Sequence, residues 1–239
     1  KFYSASHLFK IAGSTLAGDL PVWRNYRQLM ASVYSRPVSM ADRIGVALAP
    51  EPATWEREKA LLEQLGPVPV LIRFYSHETP REWEFLAGIV HDLAGNGYKV
   101  SIALVQDRQS VLDEDRWKLF VSFVLEKISQ DVEWVEVGHA VNRVKWGIWN
   151  FGEHRRLLEG VALLREQYPE VRFIGPACID FEYPFLMTAL RHVPEALHFH
   201  AMSHHLYVDR RGAPENGQAG FSTLEKCALA RAIAQWSSC

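Results

Sequence analysis

From Arg43 onward, segments with a strand-like pattern of hydrophobic residues alternate with segments of helical periodicity. Short runs rich in β-branched residues are followed by longer stretches in which apolar residues recur at helical spacing, a pattern typical of parallel strand–helix units. The predicted strands are 43–49, 68–75, 98–105, 132–138, 171–174 and 197–203. The predicted helices are 54–65, 80–94, 113–129, 151–167, 183–192 and 222–235, and Thr54 is the predicted N-cap of the first.

Six such units predict an α/β fold. The preferred interpretation is a (β/α)8 TIM barrel that is incomplete in this chain, because eight units need about 250 residues and residues 43–239 supply about six units. An open doubly wound sheet is the competitor, but the loop 49–52, Ala-Pro-Glu-Pro, lacks a glycine-rich phosphate-binding turn. Residues 1–42 precede the alternating strands and helices and do not share their pattern. Helical spacing over 22–30 makes them either a helical lead-in to the barrel or the end of a preceding domain.

The composition narrows the classes of partner and compartment. The net charge of −2 is not that of a nucleic-acid-binding protein. No segment approaches the roughly 20 apolar residues of a membrane span, so no membrane span is predicted. Residues 1–20 lack the apolar core of a signal peptide, and Cys178, Cys227 and Cys239 form neither a disulfide framework nor a metal-ligand spacing. These features favour a cytoplasmic location and leave the oligomeric state open.

Side-chain parity places two charged residues inside the predicted barrel. On the fourth strand Glu136 shares a face with Ala140, opposite two valines that should meet the helices. On the second strand Arg73 lies opposite Ile72 and Phe74. An inward carboxylate needs a partner, because an unpaired buried charge is costly. Arg73 is therefore a candidate partner of Glu136, either as a structural pair or as a support for catalytic chemistry.

Residues 135–143, Val-Glu-Val-Gly-His-Ala-Val-Asn-Arg, carry a partial motif. They resemble the fourth-strand signature Glu-x-Trp-Asn-Glu-Pro-Asn of retaining glycoside hydrolases built on (β/α)8 barrels, with His139 and Ala140 in place of Asn and the acid/base Glu. Residues 203–207, Ser-His-His-Leu-Tyr, are similar to the Ser-x-His-x-Tyr of family 39-like members at the sixth strand. Residues 175–177, Gly-Pro-Ala, resemble their Gly-Gly-Pro-Ala segment at the fifth.

The resemblance implies a glycoside hydrolase-like protein that acts on or binds a carbohydrate, with O-glycosyl bond hydrolysis in the full-length parent. With no carboxyl at Ala140, His139 is the candidate acid/base, because histidine titrates near neutrality. Glu136 is the second candidate catalytic residue, and Glu153 is a further possible substitute for the acid. The family's nucleophile, a Glu at the end of the seventh strand, is expected beyond Cys239.

The predicted ligand-binding residues end or follow a strand: Arg73, Asn142, Arg143, Trp146, His205 and Tyr207. The resemblance gives His205 and Tyr207 as residues of the sugar site and an Arg near position 73 as a support of the catalytic carboxylates. The other three combine hydrogen-bond donors with an indole, a mixture that suits a polyhydroxylated ligand.

Two alternatives from other classes stay open. The missing carboxyl at Ala140 favours a catalytically inactive carbohydrate-binding pseudoenzyme. A metal-dependent hydrolase is suggested by His198, His200 and His204, which share one face of the predicted sixth strand. Such a site needs ligands from several strands, and the first strand has none. The sequence therefore predicts no metal and no other cofactor.

Overall fold

The structure, a computed structural model, describes residues 4–35, 37–206 and 217–239. Its strands are β1 (Val46–Leu48), β2 (Val70–Tyr75), β3 (Val100–Val105), β4 (Val132–Val137), β5 (Arg172–Ile179) and β6 (Ala201–His205). Its α-helices are α1 (Ala5–Ser32), α2 (Trp55–Leu65), α3 (Pro80–Gly95), α4 (Arg108–Leu112), α5 (Glu114–Ile128), α6 (Phe151–Ala162), α7 (Tyr183–Arg191) and α8 (Thr223–Trp236). Short 3₁₀ helices cover Val144–Trp146 and Arg165–Gln167.

The six strands form one curled parallel sheet in sequential order, β1 to β6. A doubly wound sheet reverses its strand order at a switch point, and the described strands show no reversal, so that competitor is wrong. The prediction of an α/β fold with six strand–helix units is confirmed. Closure into an eight-stranded barrel stays a prediction.

Parity along β2 and β4 is as predicted. Ile72 and Phe74 are fully buried toward the helices, whereas Arg73 and Tyr75 on the opposite face are partly exposed. Register places Arg73 beside Ala103 of β3, and Ala103 beside Glu136 of β4. The Arg73 and Glu136 backbones are thus two strands apart, about 10 Å at the usual strand spacing.

The helices begin where the sequence supplies caps. The Thr79 hydroxyl accepts from the Glu82 amide, and the Glu82 carboxylate accepts from the Thr79 amide, which is a complete capping box for α3. Ser222 and Glu225 repeat this arrangement at α8. Thr54 does precede α2 as predicted, but its hydroxyl donates to the Glu58 carboxylate at 2.7 Å instead of capping the backbone.

Two strand boundaries differ from prediction. β5 runs through Pro176 to Ile179, because a register shift against β6 between Gly175 and Cys178 accommodates the residue that lacks an amide hydrogen. β6 begins only at Ala201, and the preceding apolar residues belong to a buried turn. His198 and His200 therefore precede the strand and are exposed, so their predicted place on a common strand face is wrong.

α1 is longer than the predicted helical segment 22–30 and packs on α7 and α8. The Asn25 amide donates to the Ala232 carbonyl at 3.5 Å. A Cβ at Gly18 would lie 2.1 Å from Met187 Cε and 2.9 Å from Trp236 Cζ2, so glycine lets α1 approach α7 and α8 closely with these side chains in place. Among the described helices, none combines the length and apolarity needed to cross a membrane.

Candidate functional site

A cavity of about 650 Å³ opens at the carboxyl ends of the strands. It is lined by Arg73, Tyr75, His139, Arg143, Val144, Lys145, Trp146, Ile179, Asp180 and His205. Five of the eight predicted site residues are among them, contributed by β2, by the loop after β4 and by β6. Carboxyl ends of parallel strands are where barrel enzymes build their sites, so the position is the expected one.

Three ionisable side chains meet at the floor of this cavity. His139 Nδ1 lies 3.2 Å from Glu136 Oε1, and both side chains are almost fully buried. The His205 ring stands edge-on to the His139 ring, with centroids 5.2 Å apart and an interplanar angle of 84°. One potential ligand atom from each of the three lies within 4.8 Å of the others. We refer to Glu136, His139 and His205 as the floor triad.

The loop after β4 turns sharply to present His139. Gly138 and Ala140 both have positive φ values, 79° and 49°, so the strand alternation ends at Val137. The parity that placed Ala140 inward is therefore wrong: Ala140 is fully buried outside the cavity lining, and His139 lines the cavity. Left-handed backbone conformations reverse side-chain direction, and strand periodicity cannot anticipate them.

Gln106 holds this turn from the end of β3. Its amide nitrogen donates to the His139 carbonyl at 2.6 Å and to the Trp146 carbonyl at 3.0 Å. Its amide oxygen accepts from the His139 backbone at 3.1 Å. The side chain is almost completely buried. The clamp fixes the backbone of residue 139 on both sides.

Electrostatics favour an ionised Glu136 in the floor triad. Burial opposes ionisation, but hydrogen bonds from His139 and Ser203 and the nearby charges of His139 and His205 outweigh it, so the pKa of Glu136 lies below its ordinary value. Burial lowers the pKa of His205, and the attraction of Glu136 only partly offsets that effect. The triad therefore combines a carboxylate with one imidazole, that of His205, whose charged form burial disfavours.

Arg73 does not pair with Glu136, whose ion-pair partner is His139. Within the described part of the chain the Arg73 Nε is buried without a hydrogen-bond partner, and no ion pair involves its guanidinium. Trp146 Nε1 and Asp180 Oδ1 are likewise buried and unpartnered there. All three residues line the cavity, so three polar atoms around it lack protein partners.

Arg143 and Asn142 have different surroundings. Arg143 lines the cavity but is neutralised by Asp180 and by Glu182, the latter at 2.9 Å. Asn142 lies outside the lining: its amide donates to the Ile179 carbonyl at 2.7 Å and to Glu182 at 2.9 Å, and its oxygen accepts from the Ile179 backbone. Asn142 thus ties the loop to β5. Tyr207 lies outside the described residues.

Glu153 is fully engaged elsewhere. Arg108 binds it in a bidentate pair at 2.7 and 3.1 Å, and the Trp149 amide donates to it at 2.7 Å. Burial would raise its pKa, but these hydrogen bonds hold the pKa below the ordinary range. Glu153 is absent from the cavity lining, and its suggested role as a substitute acid is not supported by this position.

The histidines of the metal-hydrolase alternative do not converge. The exposed His198 and His200 rings are 5.9 Å apart at the entry to β6, away from the cavity. His204 alternates with His205 and is not in the cavity lining either. The cavity lining also includes Tyr75, which shares its strand face with Arg73, and Asp180, which directly follows β5.

No family model, curated protein or solved structure matches this chain.

Proposed function

We propose that this chain binds a carbohydrate in the cavity at the carboxyl ends of its strands and belongs to a glycoside hydrolase-like (β/α)8 barrel. One observation carries the proposal. Residues from β2, from the loop after β4 and from β6, which a partial resemblance to family 39-like glycosidases singled out, converge on one open cavity. These segments are far apart in the sequence, and the curl of the sheet brings their strand ends to one cavity.

The chemistry of the lining suits a sugar. A carbohydrate offers many hydroxyl groups, each a donor and an acceptor, together with apolar ring faces. The guanidinium of Arg73, the indole of Trp146 and the carboxylate of Asp180 bring both donors and acceptors to the cavity lining. Tyr75 and Trp146 supply aromatic surface in the same cavity.

Within a complete barrel we assign proton transfer to His139 and its orientation to Glu136. The His139 Nδ1 contact with Glu136 fixes the ring, so the other nitrogen is the one available for a glycosidic oxygen. Glycosidases normally use two carboxyl groups for this reaction. A histidine held by a carboxylate supplies the same proton donor by a different residue.

The test is a paired measurement of turnover and binding. The full-length wild-type parent protein, whose expected seventh strand would supply the nucleophile, is offered a panel of aryl glycosides, and binding of the corresponding sugars is measured by calorimetry. We expect His139→Ala to abolish turnover while binding persists, and His200→Ala, an exposed histidine outside the cavity, to match wild type. Binding without any turnover would replace hydrolysis with the pseudoenzyme alternative. Absence of both would overturn the proposal.

A further inference from the structure

We infer that the floor triad, Glu136, His139 and His205, is a binding site for a divalent transition-metal ion of the zinc or cobalt type. This inference goes beyond carbohydrate binding and does not depend on it. It departs from the sequence-based prediction of no metal site, because the three candidate ligands come from β4, the turn after it and β6.

The spacing of the three groups fits one ion. Bonds of about 2.0–2.1 Å to a tetrahedral zinc ion place neighbouring ligand atoms about 3.3 Å apart. Glu136 Oε1 and His139 Nδ1 already lie 3.2 Å apart. The largest separation among the three ligand atoms is at most 4.8 Å, which side-chain rotation of about 1.5 Å would close.

The donor set selects the class of ion. Two imidazoles and one carboxylate are ligands of zinc, cobalt and ferrous iron, whereas calcium and magnesium prefer sites made entirely of oxygen. Three protein ligands leave a fourth position open, as in catalytic zinc sites. Because His139 and His205 line the cavity, that position faces it.

The surroundings support the first ligands and also limit affinity. Ser203 hydrogen-bonds Glu136, and Gln106 clamps the backbone of His139, so two of the three ligands are held in place by a second layer of groups. Arg73 lines the same cavity and acts electrostatically on His205. Its positive charge will weaken the binding of a cation.

An ion in this site would change what His139 can do. Coordination through His139 Nδ1, the nitrogen that contacts Glu136, would prevent the ring from becoming an imidazolium. Its remaining N–H would then be a much weaker acid, so metal binding would compete with proton donation by His139. The open coordination position would instead accept a water molecule or a ligand hydroxyl. The experiment below uses metal alone, without sugar, so its outcome is separate from that of the proposed function.

The experiment is a Co²⁺ titration of tag-free, chelator-treated protein, followed by visible d–d absorption and by equilibrium dialysis. We expect one Co²⁺ per chain, displaced by one equivalent of Zn²⁺. Glu136→Gln and His205→Ala should each weaken binding by at least about ten-fold, the effect that loss of even a supporting group has at metal sites. The control is the double variant His198→Ala/His200→Ala, which should bind as wild type does.

Two results would overturn the inference. One is the absence of stoichiometric Co²⁺ binding by the wild-type protein. The other is binding that the control double variant loses and both triad variants keep, which would assign the ion to the exposed histidine pair. Circular dichroism spectra of each variant show whether it is folded. Zinc X-ray absorption of wild-type protein, which needs no variant, should show two imidazoles and additional oxygen ligands.

Discussion

Glu136 and Glu153 are buried to almost the same extent, but their partners allow different chemistry. Glu136 is 5% exposed and Glu153 is 7% exposed, and burial is overcome in both so that the pKa lies below its ordinary value. Glu153 is saturated by a guanidinium and a backbone amide, neither of which exchanges a proton. The partner of Glu136 is an imidazole that lines a cavity. Burial and a shifted pKa do not by themselves mark a site; a partner that can exchange protons or ligands does.

The largest expected effect comes from breaking the ion pair between Arg108 and Glu153. Arg108→Met leaves the Glu153 charge buried and unpaired, and we expect a loss of about 3 kcal/mol of unfolding free energy in urea. Arg108→Met/Glu153→Gln should recover most of it, because Gln keeps an acceptor for the Trp149 amide. Lys59→Met, which breaks an exposed 2.7 Å pair with Asp92, should lower the unfolding free energy much less, because water screens an exposed pair. Equal losses for Arg108→Met and Lys59→Met would contradict this account.

The second prediction extends the comparison to histidines. His154 lies behind Gly138, completely buried, and burial lowers its pKa from 6.5 to about 3. As the pH decreases below 6.5, His154 becomes protonated in the unfolded chain but stays neutral in the folded protein. The free energy of unfolding therefore decreases until about pH 3, where the folded protein also binds the proton. Between pH 7 and 5 this amounts to about 2 kcal/mol.

His154→Leu should remove that part of the acid sensitivity. Neither ring nitrogen of His154 has a hydrogen-bond partner in the described structure, so the substitution breaks no such bond. Urea unfolding at pH 7 and pH 5 measures the difference for both proteins. A variant that loses as much stability on acidification as wild type would show that His154 is not the group responsible.

Two tryptophans allow the same comparison between the cavity and the surroundings of Glu153. Trp146 lines the cavity, whereas the Trp149 ring stacks 3.9 Å from the Arg108 guanidinium. For a sugar that binds wild type, Trp146→Ala should weaken affinity about ten-fold, or ~1.4 kcal/mol, through lost ring contact. Trp149→Ala should leave affinity unchanged and reduce stability by about 0.5–1 kcal/mol. Calorimetry and urea unfolding separate the two, and reversed effects would place the ligand elsewhere.

The smallest effect is expected for Arg73, one of the two arginines that line the cavity. Arg73→Met should change stability by less than about 0.5 kcal/mol, because its guanidinium has no ion-pair partner in the described residues. Arg143→Met should cost more, because it leaves Asp180 and Glu182 without their cation. Denaturant midpoints give the comparison. A larger loss for Arg73→Met would reveal that Arg73 has a structural role.

The alternation of side chains between the two faces of a strand predicts part of the site correctly. It placed Arg73 and Glu136 on the inner face correctly, because each lies within a strand where period two holds. It failed at Ala140, where the backbone conformation depends on Gln106, a residue 33 positions away from the His139 it holds. No local pattern contains that dependence.

Residue type also predicts what a side chain can bind but not what it does bind. Asn142 has the donors of a sugar-binding residue, but those donors are satisfied by Ile179 and Glu182. The floor triad shows the converse. The resemblance predicts His205 only as a residue of the sugar site, whereas its proximity to Glu136 and His139 follows from the curl of the sheet.

The Gln106 clamp has a consequence for how this site can diversify. All of its bonds to position 139 go to main-chain atoms, so the turn keeps its shape whatever side chain stands there. Exchange of that one residue would therefore alter the reactive group without rebuilding the loop around it. A lineage, or a protein engineer, could sample an acid, an amide or an imidazole at the same point in space by single substitutions.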